Sequence, residues 1–303
     1  MTPPPALSVV IVNYNGLRHL GMCLRSLYGA GLRVPCEYIL VDNHSTDGSV
    51  EMVRERYPLV RLIANQHNRG FAAATNQGIR AARGRYVLLL NCDTVVNGPS
   101  LQALIDFMDA HPGADAAGGK LLNPDGSFQG GWAAFSTLGQ EFLIASRLGA
   151  LVFPGYPSHR RSGRIRAVDW LSAACLLVRR DAFDKVGCLD EEYVMYSEEV
   201  DWQFRLRQTG GKVYYLPQVS TLHHGGASQD RWPRRKMVYR GKILFYRKNY
   251  GRVRELALRM LLASITCSKF GLWMLLRLLR GGSSRAAGEL RSNREVLELC
   301  FKP

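Results

Sequence analysis

The chain has 303 residues, 47% hydrophobic and 21% charged, a balance ordinary for a globular protein of one large domain or two smaller ones. Its seven cysteines are widely spaced without a Cys-x-x-Cys pair, which argues against a disulfide framework and a zinc site. The net charge of +15 is uneven: residues 229–303 contain 18 Lys and Arg against 5 Asp and Glu, and residues 1–228 contain 22 against 20. The basic C-terminal region predicts an anionic neighbour: a membrane surface, a phosphorylated substrate or a nucleic acid.

The first half of the chain alternates strand and helix patterns. Apolar and β-branched runs predict strands within residues 7–16, 37–49, 60–70 and 85–96. Helical spacing of apolar residues predicts helices at residues 17–30, 49–57, 71–82 and 99–111. This alternation predicts the α/β class, with a Rossmann-like, mostly parallel sheet and helices on both faces.

Each of the four predicted strands ends in polar residues, at positions 13–15, 42–43, 65–68 and 91–93. In parallel sheets of this kind a ligand binds beyond the carboxyl ends of the strands, near a topological switch point. We therefore expect these four places to form one polar binding rim.

The second half of the chain is less regular. Residues 118–131 predict a strand and hairpin, and residues 167–187 predict a strand followed by a helix. Residues 191–211 predict an aromatic loop leading into a helix, and residues 212–228 a strand, a proline and a second strand. Residues 139–166, which contain many Gly, Pro, Ser and Arg, predict a loop that shapes an acceptor site.

Asp93 follows the buried run Leu88-Leu89-Leu90. A carboxylate there is costly unless something pairs with it. A divalent cation that also binds the diphosphate of a nucleotide would pair with this carboxylate. The alternative is that Asp93 caps a helix or forms a salt bridge.

Three acids, Glu198, Glu199 and Asp201, begin the predicted helix near residue 198. A solvated helix start favoured by the helix dipole is one interpretation. The surrounding aromatic residues favour another, because apolar packing raises a carboxyl pKa and prepares the group as a general base.

His223 and His224 precede two glycines after a predicted strand. A structural role is usual for a single histidine. Two together before a tight turn also suit a metal ligand or a phosphate contact.

Six segments, in this order, together resemble the family 2 glycosyltransferases of the GT-A fold, and among them the rhamnosyltransferase-like branch of bacterial cell-envelope synthesis. The segments are VVIVNYNG, VDNHSTDGS, NRGFAAATNQGI, LLLNCDTVV, WLSAACLLVRRDAFDKVGCLDEEYVMYSEEVDWQFRLRQTGG and LHHGGAS. The resemblance covers about residues 7–250. It implies a GT-A catalytic domain at residues 1–228, with a nucleotide-sugar half at 7–115 and an acceptor half at 116–228, and a helical extension at 229–303.

The resemblance also implies which residues bind the nucleotide-sugar. Asp42 matches the acid that reads the pyrimidine edge, and Asn91-Cys92-Asp93 matches an Asp-x-Asp motif whose first acid is Asn here. Asp93 and His223 would be ligands of Mg²⁺ or Mn²⁺, and Gly226 and Ser228 complete a His-x-x-Gly-x-Ser pattern. The implied donor-binding residues are Asn13, Tyr14, Asn15, Asp42, Asn43, Asn68, Gly70, Asn76, Asn91 and Asp93.

For catalysis, Glu198-Glu199-x-Asp201 resembles the family's Glu-Asp-x-Asp, with Glu199 at the position of the base and Glu198 and Asp201 as alternatives. The implied reaction is one inverting displacement, in which the base deprotonates an acceptor hydroxyl and a metal-bound diphosphate departs. Trp170 and Trp202 would stack on acceptor sugars or lie in the core. The branch's typical donor is dTDP-rhamnose, with UDP-sugars as neighbours; the acceptor would be a glycan or a polyprenyl-linked sugar.

The basic tail contains an apolar stretch, residues 252–281, interrupted by Arg259, Lys269 and Arg277. It has no run of 18 uncharged residues, which argues against a spanning helix. Five of its basic residues, Arg252, Arg259, Lys269, Arg277 and Arg280, share one arc of a helix. This pattern predicts a helix lying in a membrane interface, with residues 231–252 touching anionic lipid headgroups. Packing on the catalytic domain, or a homodimer, is the alternative, and a break near Gly271 would give a helical hairpin.

The start of the chain lacks the pattern of a secretory signal, so we expect a cytoplasmic protein, peripheral on the inner face of the cell membrane. Two other classes remain open on the sequence. One is a nucleotidyltransferase on a similar sheet, for which residues 13–20 make a poor phosphate loop. The other is a non-catalytic protein that binds a polyanion or a membrane, although we expect no nucleic-acid partner.

Overall fold

The computed structural model describes residues 4–152, 158, 163–225, 231–280 and 284–301. These residues form two compact units. The sheet unit contains residues 4–135, 158, 163–194 and 198–225, and the helical unit contains residues 136–152, 195–197, 231–280 and 284–301. Residues 136–152 therefore group with the C-terminal helices and not with the sheet.

The elements of the first half alternate as predicted. They are β1 Leu7–Asn13, α1 Leu17–Tyr28, β2 Cys36–Asp42, α2 Ser49–Arg56, β3 Val60–Ala64, α3 Phe71–Ala81, β4 Tyr86–Asn91, β5 Thr94–Val96 and α4 Gly98–Ala110. Helix α4 begins where the side chain of Asn97 accepts a hydrogen bond from the backbone N–H of Ser100, an N-terminal cap.

The elements of the second half are shorter and more varied. They are β6 Ala116–Leu122, β7 Phe128–Gln129, β8 Trp132–Ala133, α5 Leu138–Ser146, α6 Gly149–Val152, β9 Arg166–Val168, β10 Trp170–Leu171, β11 Cys175–Arg179, α7 Asp181–Val186, α8 Glu198–Gln208, β12 Val213–His223, α9 Arg231–Tyr250, α10 Arg252–Arg280 and α11 Ser284–Phe301.

The main sheet has the strand order β3-β2-β1-β4-β11-β6-β12-β5. Strands β3, β2, β1 and β4 are parallel, β11 runs against them, and β6 and β12 run with them again. The mostly parallel sheet expected from the sequence is therefore confirmed.

The core lies on both faces of this sheet because successive residues of a strand point to opposite sides. Val9 and Ile11 of β1 lie in one buried cluster with Leu20 of α1. Val10, between them, lies in the opposite cluster with Ile79 of α3. Strands buried on both faces explain the continuous apolar runs in the sequence.

Two predicted strand boundaries differ from the structure. The strand expected over residues 85–96 is two strands, because the chain turns at Cys92-Asp93 and β5 pairs antiparallel with β12. The two strands expected around Pro217 are one strand, β12, whose pairing with β6 shifts register between Leu216 and Ser220. Proline has no N–H to donate to a strand pairing, and such an irregularity accommodates it.

The helical unit is held together by buried ion pairs. Lys242 of α9 donates to Glu141 of α5, which is fully buried, at 2.6 Å. Within α10, Arg259 pairs with Glu255 and also donates to the carbonyl of Leu299 near the end of α11. The loop expected over residues 139–166 is wrong in its first part, since α5 and α6 occupy residues 138–152.

Helix α10 is continuous past Gly271, so no hairpin forms there. Its exposed apolar side chains include Val253, Met260 and Leu278, 82%, 68% and 80% exposed, which share one face at 100° per residue. Arg259 and Lys269 of the predicted basic arc instead face the bundle, where they bond to carbonyl groups of α11 and α5.

By length and composition alone, Arg252–Leu279 is the one helix among the described residues that could cross a membrane, and 17% of its most apolar window is buried. The helix is therefore long and apolar enough to cross a membrane, although charged residues interrupt it. The membrane-interface arrangement stays a prediction.

Candidate active site

The candidate site lies at the edge of the sheet where β1, β2, β4 and β12 end. The chain moves outward from β1 to β2 and β3, then returns to place β4 on the other side of β1. This reversal is a topological switch point, where ligands bind to sheets of this kind. Strand β12 runs in the same direction as β4, so His223 reaches the same edge.

Asn13 and Asp42 are adjacent in the β1–β2 register and form the buried floor of this edge. Asn13 Nδ2 donates to Asp42 Oδ1 at 2.9 Å and to Ser45 Oγ at 3.0 Å. Asp42 Oδ2 accepts from the backbone N–H of Ser45 at 2.8 Å. Asn13 Oδ1 is buried and has no hydrogen-bond partner within the described part of the chain. This acceptor therefore has a hydrogen-bonding capacity that the described residues do not use.

Tyr14 and Asn15 follow Asn13 on the surface. Tyr14 is 46% exposed, so its ring can be covered by a ligand. Asn15 has a positive φ of 50°, and its side chain accepts from the backbone N–H of Thr46 at 2.8 Å. Asn15 therefore joins the ends of β1 and β2 through its own side chain.

Asn43, Asn68 and Gly70 form a second hydrogen-bonded group. Asn43 Nδ2 donates to Asn68 Oδ1 at 2.8 Å and to the carbonyl of Gly70 at 3.2 Å. Gly70 has φ 83°, and a Cβ there would lie 3.1 Å from the carbonyl oxygen of Val194. The next residue, Phe71, donates its N–H to that carbonyl at 2.8 Å. This group therefore holds the segment before α8 against the start of α3.

Asn76 is buried and bonded within the protein. Its amide group exchanges hydrogen bonds with the backbone of Leu189, at 2.8 and 3.0 Å, and donates to Glu191 at 2.9 Å. The structure gives Asn76 a positioning role between α3 and the segment before α8, in place of the donor contact implied by the resemblance.

Asp93 and His223 lie side by side, with 3.2 Å between Asp93 Oδ1 and His223 Nε2. The β5–β12 pairing brings them together, since His223 is opposite Thr94. Asn91 Nδ2 also lies 3.2 Å from His223 Nε2. On the other side of the ring, His223 Nδ1 is 2.6 Å from Gln129 Oε1, an acceptor, so Nδ1 carries a proton. In the neutral ring, Nε2 then has a lone pair that can bind a cation or accept from Asn91, and only the doubly protonated ring donates from Nε2 to Asp93.

This pair fits a divalent cation. Two ligands at neighbouring corners of an octahedron, each about 2.1 Å from the ion, are about 3 Å apart, close to the observed separation. No group of three or more His, Cys, Asp or Glu suited to a metal occurs in the described ranges. Water and substrate phosphates would supply the other ligands, as is common for Mg²⁺.

The pKa of Asp93 has opposing causes. Burial raises it, but the hydrogen bond that the protonated His223 ring donates and the positive charge of that ring lower it, with smaller contributions from a backbone hydrogen bond and from His19, and together these outweigh burial. The pKa therefore lies below the ordinary aspartate value, and the carboxylate is ionised at neutral pH.

Glu198 and Glu199 lie in the first turn of α8, where the helix dipole favours negative charge. Tyr196 and Ser197, just before it, both have positive φ, at 71° and 75°. Glu198 is 4% exposed, and Glu199 is half-buried. Burial, followed by the charge of Glu199, raises the pKa of Glu198 well above the ordinary glutamate value.

Asp201, the third acid, is bonded within the fold. Its carboxylate pairs with Arg205 Nε at 2.9 Å and accepts from the hydroxyl of Tyr193 at 3.2 Å. Arg205 also donates to the carbonyls of Val186 and Cys188. Asp201 thus connects α8 to the segment after α7, which leaves Glu198 and Glu199 as the better candidates for a base.

The two candidate acceptor-binding tryptophans differ in exposure. Trp202 is fully buried against Phe183 and donates to the carbonyl of Gly187, so it cannot stack on a sugar. Its acceptor role is corrected to a core role. Trp170 is partly exposed on β10, with its indole N–H bonded to the carbonyl of Ala134, so it remains a candidate for stacking on an acceptor sugar.

Three polar residues of the site were missed from the sequence. Ser45 bonds to Asn13 and to the backbone of Asn15, Gln129 orients His223, and Gln203 anchors α8 to both backbone groups of Leu171. Ser45 lies in the segment VDNHSTDGS, which could have indicated it. No pattern in the sequence distinguishes Gln129 or Gln203 as a site residue. Gly226 and Ser228 lie outside the described residues.

The comparisons with known proteins agree with one another. A family model described as Glycosyl transferase family 2 matches residues 8–187. The N-acetylglucosaminyl-diphospho-decaprenol L-rhamnosyltransferase of Mycobacterium tuberculosis is 36% identical over 248 residues, covering 75% of this chain and 78% of the relative.

Two solved structures share the fold at low identity. A mannosyltransferase from Pyrobaculum calidifontis, in complex with GDP-Man and Mn²⁺, has a TM-score of 0.59 at 14% identity, covering 98% of this chain and 86% of the other. TarS residues 1–349 of S. aureus, in complex with UDP-GlcNAc, has a TM-score of 0.52 at 16% identity, covering 97% and 81%.

Proposed function

This chain belongs to glycosyl transferase family 2 and has the GT-A fold, and we propose that it transfers L-rhamnose from dTDP-rhamnose to a sugar on a polyprenyl diphosphate. The observation that carries the proposal is the Asp93–His223 pair at the switch point of the sheet. The donor and acceptor are proposed because a mycobacterial relative of this chain is named an N-acetylglucosaminyl-diphospho-decaprenol L-rhamnosyltransferase. A nucleotidyltransferase and a non-catalytic polyanion-binding protein, the two other classes, are set aside by the family.

The nucleotide base would bind against Asn13 and Asp42. Uracil and thymine each present one N–H between two carbonyl oxygens, so they need an acceptor at this position. Asn13 Oδ1 is a buried acceptor without a partner in the described ranges, and Asp42 lies beside it. Tyr14, with its exposed ring, would stack on the base.

Asp93 and His223 would hold Mg²⁺ or Mn²⁺ beside the diphosphate of the donor. When bound, the ion supplies Lewis-acid stabilisation of the leaving group. Gln129 keeps the His223 ring in the tautomer whose Nε2 faces the site. Asn91 Nδ2 would also offer a hydrogen-bond donor to a phosphate oxygen.

Glu199 is the base in this proposal. The elevated pKa of Glu198 keeps a proton on that carboxyl, which leaves Glu199 as the carboxylate of the pair. Glu199 removes the proton of the acceptor hydroxyl, and the hydroxyl oxygen attacks the anomeric carbon on the face opposite the diphosphate. One displacement of this kind inverts the anomeric configuration.

The experiment is calorimetry of donor binding with Mn²⁺ present, across dTDP-rhamnose, UDP-glucose, UDP-galactose, UDP-N-acetylglucosamine and GDP-mannose. We expect dTDP-rhamnose to bind most tightly, and Asp93→Ala to remove the metal dependence of that binding. Tighter binding of a UDP-sugar would overturn dTDP-rhamnose as the donor but would remain consistent with a glycosyltransferase. Binding of none of the five would overturn the nucleotide site.

The proposed cell location follows from the helical unit. The C-terminal region, residues 229–303, carries most of the positive net charge of the chain, and the exposed apolar face of α10 suits a membrane interface. We place the enzyme at the inner face of the cell membrane. Sedimentation with vesicles tests this, and alkaline carbonate extraction separates a peripheral protein from a spanning one. A dimer that covers α10 would instead appear in analytical ultracentrifugation without lipid.

A further inference from the structure

The helical unit contains a polar cavity of about 80 Å³ among helices α5, α9, α10 and α11. One water occupies about 10–15 Å³ by the same measure, so the space accommodates several waters or one small anion. The side chains with polar atoms that line it are Arg147, Arg235, Tyr239, Thr266, Lys269 and Asn293.

Positive charge predominates around this cavity. Of its three cations, only Arg235 has a carboxylate partner in the described part of the chain, Glu289 at 2.9 Å. Lys269 bonds to the carbonyl of Ala145 and forms no ion pair with a carboxylate in that part, although the charge of Glu289 acts to raise its pKa. Burial, followed by the charges of Arg147 and Arg235, lowers the pKa of Lys269, which reflects the mutual repulsion.

Two further features indicate that the cavity receives a ligand. Asn293 is 2% exposed and lines the cavity, and its Nδ2 has no hydrogen-bond partner among the described residues. Arg147 ends α5 with φ 67°, a conformation that residues other than Gly, Asn and Asp seldom adopt. Unusual backbone of this kind occurs at ligand sites, where the surrounding structure maintains it.

We propose that this cavity binds a phosphate or diphosphate group, with Arg147, Arg235 and Lys269 supplying the charge and Asn293 Nδ2 donating a hydrogen bond. Such a group carries several acceptor oxygens and at least one negative charge, and guanidinium groups match its geometry. A free phosphate, an anionic lipid headgroup and a lipid-linked diphosphate share this chemistry. Neither Asp93 nor His223 lines this cavity, and its existence does not depend on the proposed glycosyl transfer.

The test is calorimetry of inorganic pyrophosphate with the full chain in EDTA, comparing the wild type with Lys269→Met and Arg147→Asn. Met keeps the apolar stem of the lysine, and Asn tolerates the left-handed backbone at position 147. Arg291→Gln is the matched control, because it removes one charge from α11 where the side chain is 80% exposed. Circular dichroism verifies that each variant is folded.

We expect each cavity variant to bind pyrophosphate about tenfold more weakly, and Arg291→Gln to bind as the wild type does. Binding that is equal in all four proteins, or absent from the wild type, would overturn the proposal. Vesicles of phosphatidylcholine with or without phosphatidylglycerol then identify the source. Competition between pyrophosphate and the anionic vesicles indicates a lipid headgroup, and pyrophosphate binding without competition indicates a soluble phosphate; both outcomes support the site.

Discussion

Asp93 Oδ1 lies 3.2 Å from His223 Nε2, although the two residues are 130 positions apart in the sequence. If they hold a divalent cation together, Asp93→Asn removes the charged ligand and keeps the shape of the side chain. We expect kcat to fall about a hundredfold or more, equivalent to about 3 kcal/mol, and the Mn²⁺ concentration for half-maximal rate to rise. Initial rates of sugar transfer across a Mn²⁺ titration measure both effects.

Asp125→Asn is the matched control, because Asp125 is an exposed aspartate in the turn before β7. Its rates should equal those of the wild type at every Mn²⁺ concentration. A wild-type enzyme that retains full activity in EDTA would contradict a metal role for the pair.

The two glutamates of α8 should differ in their effect on rate. Glu199→Gln removes the proposed base and should lower kcat about 10²–10⁴-fold while KM for the donor stays near the wild-type value. Glu198→Gln replaces a carboxyl that already holds its proton, so its rate loss should be much smaller. Steady-state rates of both variants near neutral pH make the comparison. The opposite order of losses would assign the base to Glu198.

Much of the candidate site at the carboxyl ends of β1, β2 and β4 could be predicted from the sequence, because the polar residues that end a strand lie next to it in the chain. The polar residues after β1, β2 and β4 follow apolar runs, and parallel strands bring their carboxyl ends together. Asn13 and Asp42 were both expected in the polar rim for this reason, and their hydrogen bond follows from the β1–β2 register.

The rest of the site depends on contacts between residues far apart in the chain. The turn at Cys92-Asp93 cannot be seen from residues 85–96 alone, because β5 forms only by pairing with β12. Trp202 sits on a helix whose pattern does not reveal its inward face, since Asp201 beside it is buried as well. The same limitation applies to Gln129, whose role exists only where β7 meets the end of β12.

The buried carboxyl of Glu198 should make stability depend on pH. Its raised pKa means that the folded state holds the proton more tightly than the unfolded state, whose value is near 4.3. The free energy of unfolding therefore falls as pH rises from about 4.3 through the folded pKa. Glu198→Gln removes this loss, so we expect it to stabilise the protein by about 2 kcal/mol near pH 8 and much less near pH 4.

Urea unfolding at several pH values measures this difference. Glu55→Gln serves as the control, because Glu55 is an exposed glutamate on α2. A stability difference between Glu198→Gln and the wild type that does not change with pH would show that the pKa of Glu198 is the same in the folded and unfolded states.

Asp201 should act mainly on stability, in contrast to Glu199. It is 2% exposed and forms an ion pair with Arg205, which in turn donates to the carbonyl of Cys188. Asp201→Asn leaves the Arg205 guanidinium without its carboxylate in a partly buried place, and the free energy of unfolding should fall by about 3 kcal/mol. Urea unfolding measures this, and kcat is compared at a temperature where both proteins are folded.

Asp106→Asn is the control for Asp201→Asn, since it also removes an aspartate from an arginine pair. The Arg33–Asp106 pair joins exposed side chains, 69% and 53% accessible, where water screens the charges. Its loss should cost at most about 1 kcal/mol. Equal losses of stability in the two variants would mean that burial adds nothing to the Asp201–Arg205 pair. A loss of kcat in Asp201→Asn as large as that of Glu199→Gln would return Asp201 to the list of candidate bases.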